Sequence, residues 1–211
     1  SFPSASLLSS TWDRNILQRI GELSASEARR KNVDVVLGPT INLHRAPIGG
    51  RHFESYSEDP LLTGELAKNY INGVQSEGVG ACPKHYVAND SEDFRFHYDV
   101  QLDNQTLHEL YLKPFQIACE ANPWTIMSAY NSVQGFSMTE SPLLNDPLKS
   151  KWEFDGAVIS DWTAVRSVNE SANAAQDWVM PGPFTTWASG LKAAVENGSV
   201  PESAIDEKVF R

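Results

Sequence analysis

The chain has 211 residues, a length near the upper limit for one hydrophobic core, so we expect a single domain spanning 1–211. Hydrophobic residues make up 41% of the sequence, which is typical of a globular fold. The net charge of −10 leaves no basic surplus to neutralise phosphates, and no apolar run approaches the roughly 20 residues of a membrane span. We therefore expect neither a nucleic-acid nor a membrane partner.

Predicted helices and strands alternate along the chain, which favours a parallel sheet. In the first half they are a helix at 11–31 with the apolar stripe Ile16, Leu17, Ile20 and Leu23, a strand at 33–37, a polar loop at 42–59, a helix beginning at Asp59-Pro60 and a strand at 79–86. In the second half they are a polar loop at 88–99, a helix at 104–120, a strand at 124–129, a short helix at 142–151, a strand at 157–160, a helical stretch from about 163, a short strand near 177–180 and helices at 185–196 and 201–211.

These strands number about five, too few for the eight of a complete barrel. We expect an α/β fold of the TIM type: an incomplete (β/α) barrel with parallel strands, outer helices and further elements upstream. An open doubly wound sheet is the competing architecture. Which of the two is formed decides whether the strand ends face one another around a single pocket.

The cysteines and the glycine-rich segments give no sign of a bound metal or cofactor. Cys82 and Cys119 lie in apolar segments, and their separation matches no zinc motif, so we expect two buried thiols rather than a disulfide. The sequence contains neither a dinucleotide-binding motif nor a phosphate loop. We therefore expect no metal and no cofactor.

Polar side chains stand where the predicted strands end, although strands of a buried parallel sheet are normally apolar throughout. They are Lys84 and His85 in the second strand, Tyr130 and Asn131 after the third, Asp161 and Trp162 after the fourth, and Arg51, His52 and Glu54 in the loop after the first. Because the carboxyl ends of barrel strands converge on one site, we expect these groups to share a pocket.

Polyol binding is the chemistry that these residue types indicate. Arg, Lys, His and Asp form charge-assisted hydrogen bonds with hydroxyl groups, and Trp and Tyr offer flat faces to the apolar side of a sugar ring. A carboxylate close to an anomeric carbon can stabilise an oxocarbenium-like transition state or attack that carbon. The pattern therefore predicts a carbohydrate site built around one carboxylate.

Seven segments in a fixed order resemble glycoside hydrolase family 3, of the two-domain β-glucosidase type. They are 38–42 (GPTIN), 49–54 (GGRHFE), 57–60 (SEDP), 84–90 (KHYVAND), 127–131 (MSAYN), 160–162 (SDW) and 180–182 (MPG). Each motif alone would be weak, but their order is specific and the similarity runs over essentially the whole chain. The resemblance implies a catalytic barrel domain of that family.

The resemblance also implies a retaining β-glycosidase, β-glucosidase-like, that acts on terminal non-reducing β-linked sugars, with Asp161 as the catalytic nucleophile. Around Asp161 it implies a set of supporting residues: Arg51, Lys84 and His85 on the sugar hydroxyls, Arg95 positioning the nucleophile and the sugar, Tyr130 orienting Asp161, Met127 lining the pocket, Trp162 stacking on the aglycone or the next sugar, and Glu54 bracing its loop. Asp177 could be a second carboxylate of the pocket, but we expect a structural role for it, and structural or exposed positions for His44, His97 and His108.

Two features of the family pattern are missing. Members carry an upstream Asp-Gly-Pro segment whose aspartate binds sugar hydroxyls, and their general acid/base is usually a glutamate of a following α/β sandwich domain. Single-domain relatives use a histidine in a Lys-His-Phe-Pro-Gly-His-Gly loop, whereas 84–90 here reads KHYVAND. We expect the chain to be part of a longer polypeptide whose sandwich domain completes the site, and to hydrolyse poorly alone.

Two other classes of function compete with this interpretation. A non-catalytic carbohydrate-binding barrel would explain the lack of an acid/base. A Schiff-base lyase could use Lys84 at its strand end, provided that the pKa of Lys84 were depressed. We expect Asp90 and Asp161 to raise that pKa, which disfavours the lyase.

Overall fold

The structure is a computed structural model that describes residues 1–183 and 185–211. Its strands are β1 (Val35–Val36), β2 (Gly80–Ala81), β3 (Lys84–Tyr86), β4 (Asp99–Val100), β5 (Thr125–Ser128), β6 (Ser132–Val133), β7 (Phe136–Ser137) and β8 (Ala157–Ser160). Its α-helices are α1 (Ala5–Ser9), α2 (Arg14–Arg30), α3 (Pro60–Ser76), α4 (Asn104–Thr106), α5 (Lys113–Cys119), α6 (Asn169–Asn173), α7 (Ala188–Glu196) and α8 (Glu202–Phe210).

The central wall consists of parallel segments that follow one another in chain order. β1 pairs with β2, and an isolated β-bridge joins Thr40 to Lys84 at that side of the wall. At the other side, an isolated β-bridge joins Ile159 to Trp178. Between these sides β3 pairs with β5, and β5 pairs with β8. The spatial order of the strands follows their order in the chain throughout, whereas in a doubly wound sheet the strand order reverses at one point. The wall is therefore part of a barrel. The predicted fold class is confirmed, and the barrel is incomplete.

Helices α2 and α3 pack closely because small residues meet at their contact. Gly21 lies against the backbone of Tyr70 and Val74, and Gly73 lies against the backbone of Gln18, so that neither position has room for a Cβ. The buried face of α2 is therefore Leu17, Gly21, Ala25 and Ala28. The predicted apolar stripe is only partly right, because Ile16 and Leu23 are exposed.

Three predicted helices have different boundaries, each for a local reason. Asp13 accepts a hydrogen bond from the Asn15 N–H at 2.8 Å, so α2 begins at Arg14 rather than Thr11. Pro114 has no N–H, and the stretch predicted as one helix at 104–120 is divided into α4, a π-helical turn at Leu107–Tyr111, and α5. Asp146, which precedes a proline, has non-helical φ and ψ, so 142–151 forms only short turns.

The hairpin of β6 and β7 was not predicted. Gln134 and Gly135 form its two-residue turn with φ values of 50° and 85°, the left-handed conformations that a type I′ turn requires. β4 adds to this hairpin in parallel with β6. The helical stretch predicted from about 163 is wrong up to α6, because 162–163 form a turn and 164–167 are irregular, and the predicted helix at 185–196 begins at Ala188.

The prediction for the two cysteines is confirmed: Cys82 and Cys119 are buried free thiols.

Among the described residues, no helix is long and apolar enough to cross a membrane.

Candidate active site

A cavity of about 290 Å³ opens at the carboxyl ends of the wall strands. Its lining residues are Leu37, Arg51, Lys84, His85, Arg95, Met127, Tyr130, Asp161, Trp162 and Met180. All eight residues that the sequence predicts for the site are among them. Leu37 and Met180 were not predicted, although each lies at the end of a predicted strand, the signal that identified Asp161.

Asp161 follows β8 directly and is held in place by its backbone. Its N–H donates to the Ser128 carbonyl at 3.1 Å, which continues the β5–β8 ladder by one residue. Its side-chain Oδ1 accepts the Trp162 N–H at 2.7 Å. Oδ2 is buried and accepts no hydrogen bond from the part of the chain that the structure describes. The carboxylate therefore has one anchored oxygen and one oxygen free to react.

Burial raises the pKa of the Asp161 carboxyl above its ordinary value. The Trp162 N–H, the Tyr130 hydroxyl and the positive charges of Arg95 and Lys84 oppose this rise, because each of them stabilises the ionised form. The carboxylate thus combines low solvation with nearby donors, an environment suited to a nucleophile that must be both ionised and reactive.

His85 is 2% exposed and is held by Asn42, a residue that the sequence analysis assigned no role. The Asn42 side chain makes three hydrogen bonds of 2.9–3.0 Å with the backbone and the ring of His85. Nε2 of the ring lies 3.3 Å from Arg51 Nη1 and 3.5 Å from Asp161 Oδ2. Burial, followed by the charges of nearby cations, lowers the pKa of His85 well below its ordinary value, so the ring is neutral.

Glu92 joins the two arginines of the pocket. It accepts a hydrogen bond from Arg95 Nη1 at 2.6 Å, and its other oxygen lies 3.5 Å from Arg51 Nη1. Arg51 also pairs with Glu54, which accepts a hydrogen bond from Thr40 at 3.1 Å and so braces the loop. Its position three residues before Arg95 makes Glu92 a possible partner of that arginine, but nothing in the sequence shows that it also reaches Arg51 in another loop.

The aromatic residues form one side of the pocket. The Arg95 guanidinium lies 4.4 Å from the centre of the Tyr130 ring, and the Tyr130 hydroxyl donates to the Trp162 carbonyl at 2.9 Å. Arg166, another residue that was missed, donates to the carbonyls of Phe96 and Tyr130. Trp162 is 57% exposed at the mouth, where a second group could stack on it.

Lys84 lies deeper in the pocket, and its electrostatic environment differs from the expected one. Burial lowers the pKa of Lys84, and Arg51 lowers it further, whereas Glu54 and Asp161 act in the opposite direction. The expectation that neighbouring carboxylates keep this pKa high is therefore wrong, because desolvation is the larger effect.

Asp161 is the only carboxylate among the described residues that line this cavity. Asp177 lies elsewhere, with its side chain 1% exposed and its oxygens 2.7 and 2.8 Å from Lys149 Nζ. It also accepts the Val158 N–H at 2.8 Å, which agrees with the structural role predicted for it. His44 bonds to the carbonyls of His52 and Ser55, and His97 and His108 are exposed, also as predicted.

Fold and pocket together define an α/β barrel domain with a charged site around a single carboxylate at its strand ends. The sequence profile of the glycosyl hydrolase family 3 N-terminal domain matches residues 1–211. The chain belongs to that family.

Relatives and solved structures agree with this assignment. Over 98% of its length the chain is 46% identical to β-glucosidase B of Emericella nidulans, and over 97% it is 44% identical to a β-glucosidase of Rhizobium radiobacter. β-Glucosidase 3B of Thermotoga neapolitana in complex with α-D-glucose superposes on the whole chain with a TM-score of 0.97 and 40% identity. The chain spans 25% of the length of the first two relatives and 31% of the third.

Proposed function

We propose that this chain provides the nucleophile and most of the sugar-binding pocket of a retaining β-glucosidase. The observation that carries the proposal is the free oxygen of Asp161, which is buried among cations in a cavity where no other described carboxylate stands. The family assignment and the relatives named β-glucosidases support the same conclusion. A bound glucose in the Thermotoga neapolitana structure supports a sugar of that class as the ligand.

The pocket supplies the sugar-binding groups and the nucleophile of the proposed reaction. Arg51, Lys84 and Arg95 donate hydrogen bonds to the sugar hydroxyls. Asp161 Oδ2 attacks the anomeric carbon, and the C1–O bond to Asp161 forms as the glycosidic bond breaks, while the leaving oxygen takes a proton from a second carboxyl group. Water then gives a proton back to that group and attacks the same carbon from the face opposite Asp161, releasing the sugar with its original β configuration and restoring the Asp161 carboxylate.

The second carboxyl group of a retaining glycosidase would stand about 5–5.5 Å from the nucleophile. We infer that it comes from another part of the complete protein, since Asp161 is the one carboxylate lining the cavity in residues 1–183 and 185–211. A following sandwich domain, as the family resemblance implies, is the proposed source. That domain would be the partner that completes the site.

Replacing the nucleophile tests this proposal in the complete protein. Asp161→Asn keeps the shape of the side chain but removes the attacking charge, so kcat for an aryl β-glucoside should fall by at least about 10³-fold. Asp155→Asn is the matched control, because Asp155 is exposed near the opposite end of β8. Activity of Asp161→Asn above about a tenth of wild type would refute the assignment and leave a sugar-binding barrel as the better interpretation.

A further inference from the structure

The hydrogen bonds between Asn42 and His85 fix the orientation of the Asn42 amide. Asn42 Oδ1 accepts the backbone N–H of His85 at 2.9 Å, and Asn42 Nδ2 donates to the carbonyl of the same residue at 2.9 Å. If the amide were turned over, its NH₂ would face an N–H and its oxygen would face a carbonyl. Both side chains are buried, so water could not compensate for two such repulsive pairs.

The fixed amide in turn determines which ring nitrogen of His85 carries the proton. Asn42 Oδ1 lies 3.0 Å from His85 Nδ1, and an amide oxygen can only accept a hydrogen bond. Nδ1 must therefore be the protonated nitrogen. In a neutral ring this leaves one lone pair on Nε2, which accepts a hydrogen bond from Arg51 Nη1 at 3.3 Å and lies 3.5 Å from Asp161 Oδ2.

We propose that Asn42 is a positioning residue that holds His85 as the Nδ1–H tautomer, so that Nε2 accepts the hydrogen bond of Arg51 Nη1 and holds that guanidinium toward a hydroxyl-bearing ligand in the pocket. The identity of that hydroxyl-bearing ligand as a sugar rests on the proposed function, but the protonation of the ring does not.

The proposed tautomer balances the hydrogen-bonding groups of the pocket. Arg51, Lys84 and Arg95 can only donate while they are charged, whereas each sugar hydroxyl has a proton to donate as well as lone pairs to share. His85 Nε2 already accepts from Arg51 Nη1, so Asp161 Oδ2 is the acceptor of the pocket that has no partner among the described residues. With the other tautomer, the Nε2–H of His85 and Arg51 Nη1 would be two donors facing each other, at a cost typical of a buried unsatisfied group.

Neutron diffraction from a deuterium-exchanged crystal of the complete wild-type protein tests the tautomer directly. The expected map shows deuterium on His85 Nδ1 and none on Nε2. Deuterium on Nε2, alone or together with Nδ1, would overturn the proposal. The neutron map reports only the tautomer and does not depend on catalysis. A failure of the proposed function would instead be seen as full activity of Asp161→Asn, so the two failures can be told apart.

The variant Asn42→Asp tests the link to activity. A carboxylate beside Nδ1 raises the pKa of His85 against the lowering effect of burial, Arg51, Lys84 and Arg95, while Asp161 faces Nε2 on the other side. Below its new pKa the ring is protonated at both nitrogens, and Nε2 can no longer accept. The loss in kcat/KM relative to wild type should therefore be about tenfold larger at pH 5 than at pH 8.

Asn69→Asp is the matched control, because Asn69 is a half-buried residue of α3 whose amide also donates to a carbonyl, that of Glu65 at 2.8 Å. It should leave the pH profile unchanged. A loss in Asn42→Asp that is equal at all pH values would show a merely structural role for Asn42 and contradict the proposal. If Asn42→Asp does not fold, the neutron map still decides the question.

Discussion

At the scale of single residues, the site depends on how one buried carboxylate is kept ionised. Desolvation raises the pKa of Asp161, while the Trp162 N–H, the Tyr130 hydroxyl and two cations lower it. A nucleophilic carboxylate acts only in its ionised form, so kcat/KM should fall as pH decreases through this pKa. Because the pKa is raised, the fall should begin at a higher pH than for an ordinary aspartate.

The variant Tyr130→Phe tests this balance. The Tyr130 hydroxyl can rotate its proton from the Trp162 carbonyl to the ionised Asp161 carboxylate. Without the hydroxyl, the ionised form of Asp161 loses this stabilising group, so its pKa should rise further and the acidic limb of kcat/KM should move to higher pH by about half a unit to one unit. Tyr98→Phe serves as the control, since Tyr98 bonds to the Ala88 carbonyl and to Asn89 instead. An unchanged limb, or a limb at lower pH, would show that Tyr130 does not stabilise the carboxylate.

The residues of the pocket were predictable to different degrees. Asp161, Lys84 and His85 could be found from the sequence because each interrupts or directly follows an apolar strand. Arg51 and Arg95 lie in irregular loops: Arg51 was expected near the pocket because its loop follows the first strand, whereas Arg95 was recognised only by family resemblance. The positioning roles of Asn42, Glu92 and Arg166 were missed. These roles depend on how two loops fold over the strand ends, and the periodicity of the sequence carries no information about that folding.

At the scale of elements, the contact between α2 and α3 positions the strands that flank them. Glycines at 21 and 73 allow the two helix backbones to approach each other without intervening side chains. β1 follows α2, and β2 follows α3, so this contact sets the spacing of the first pair of strands in the wall.

Gly73→Ala is expected to destabilise the fold through this contact. The added Cβ would collide with the backbone of Gln18, and a helix backbone can yield only by separating the helices. A cost of about 1–3 kcal/mol, seen as a lower midpoint of thermal unfolding, is expected. Gly182→Ala is the control, because its Cβ would have no heavy atom of the described residues within 4 Å. Equal midpoints for the two variants would contradict this account of the packing.

Helices and strands were predicted well where the apolar periodicity extends over many residues, and poorly where a single residue determines the backbone conformation. β5, β8 and the helix beginning at Pro60 were found because their patterns extend over several residues, whereas the strand predicted at 79–86 is divided into β2 and β3 and the one predicted near 177–180 is a single bridge at Trp178. The break in 104–120 depends on Pro114, and the hairpin of β6 and β7 depends on the turn at Gln134-Gly135. Neither feature alters the hydrophobic period on which the prediction relied.

At the scale of the whole molecule, the order of the strands assembles the site. Residues as distant in sequence as Arg51 and Trp162 meet because parallel segments in chain order bring all their carboxyl ends to one side. The incomplete barrel could be predicted from the number of strands. Its relatives are about four times as long, and the remaining groups of the active site are proposed to lie in the rest of the complete protein.

Covalent trapping tests the central claim most directly. A 2-deoxy-2-fluoro-β-glucoside with a dinitrophenolate leaving group needs no protonation to depart, while its fluorine slows release of the glycosyl group. After incubation with the complete protein, proteolysis and mass spectrometry should find the fluoroglucosyl group on the peptide containing Asp161, attached through its carboxylate. A label on another residue, or no label under conditions in which the protein hydrolyses aryl glucosides, would contradict the account.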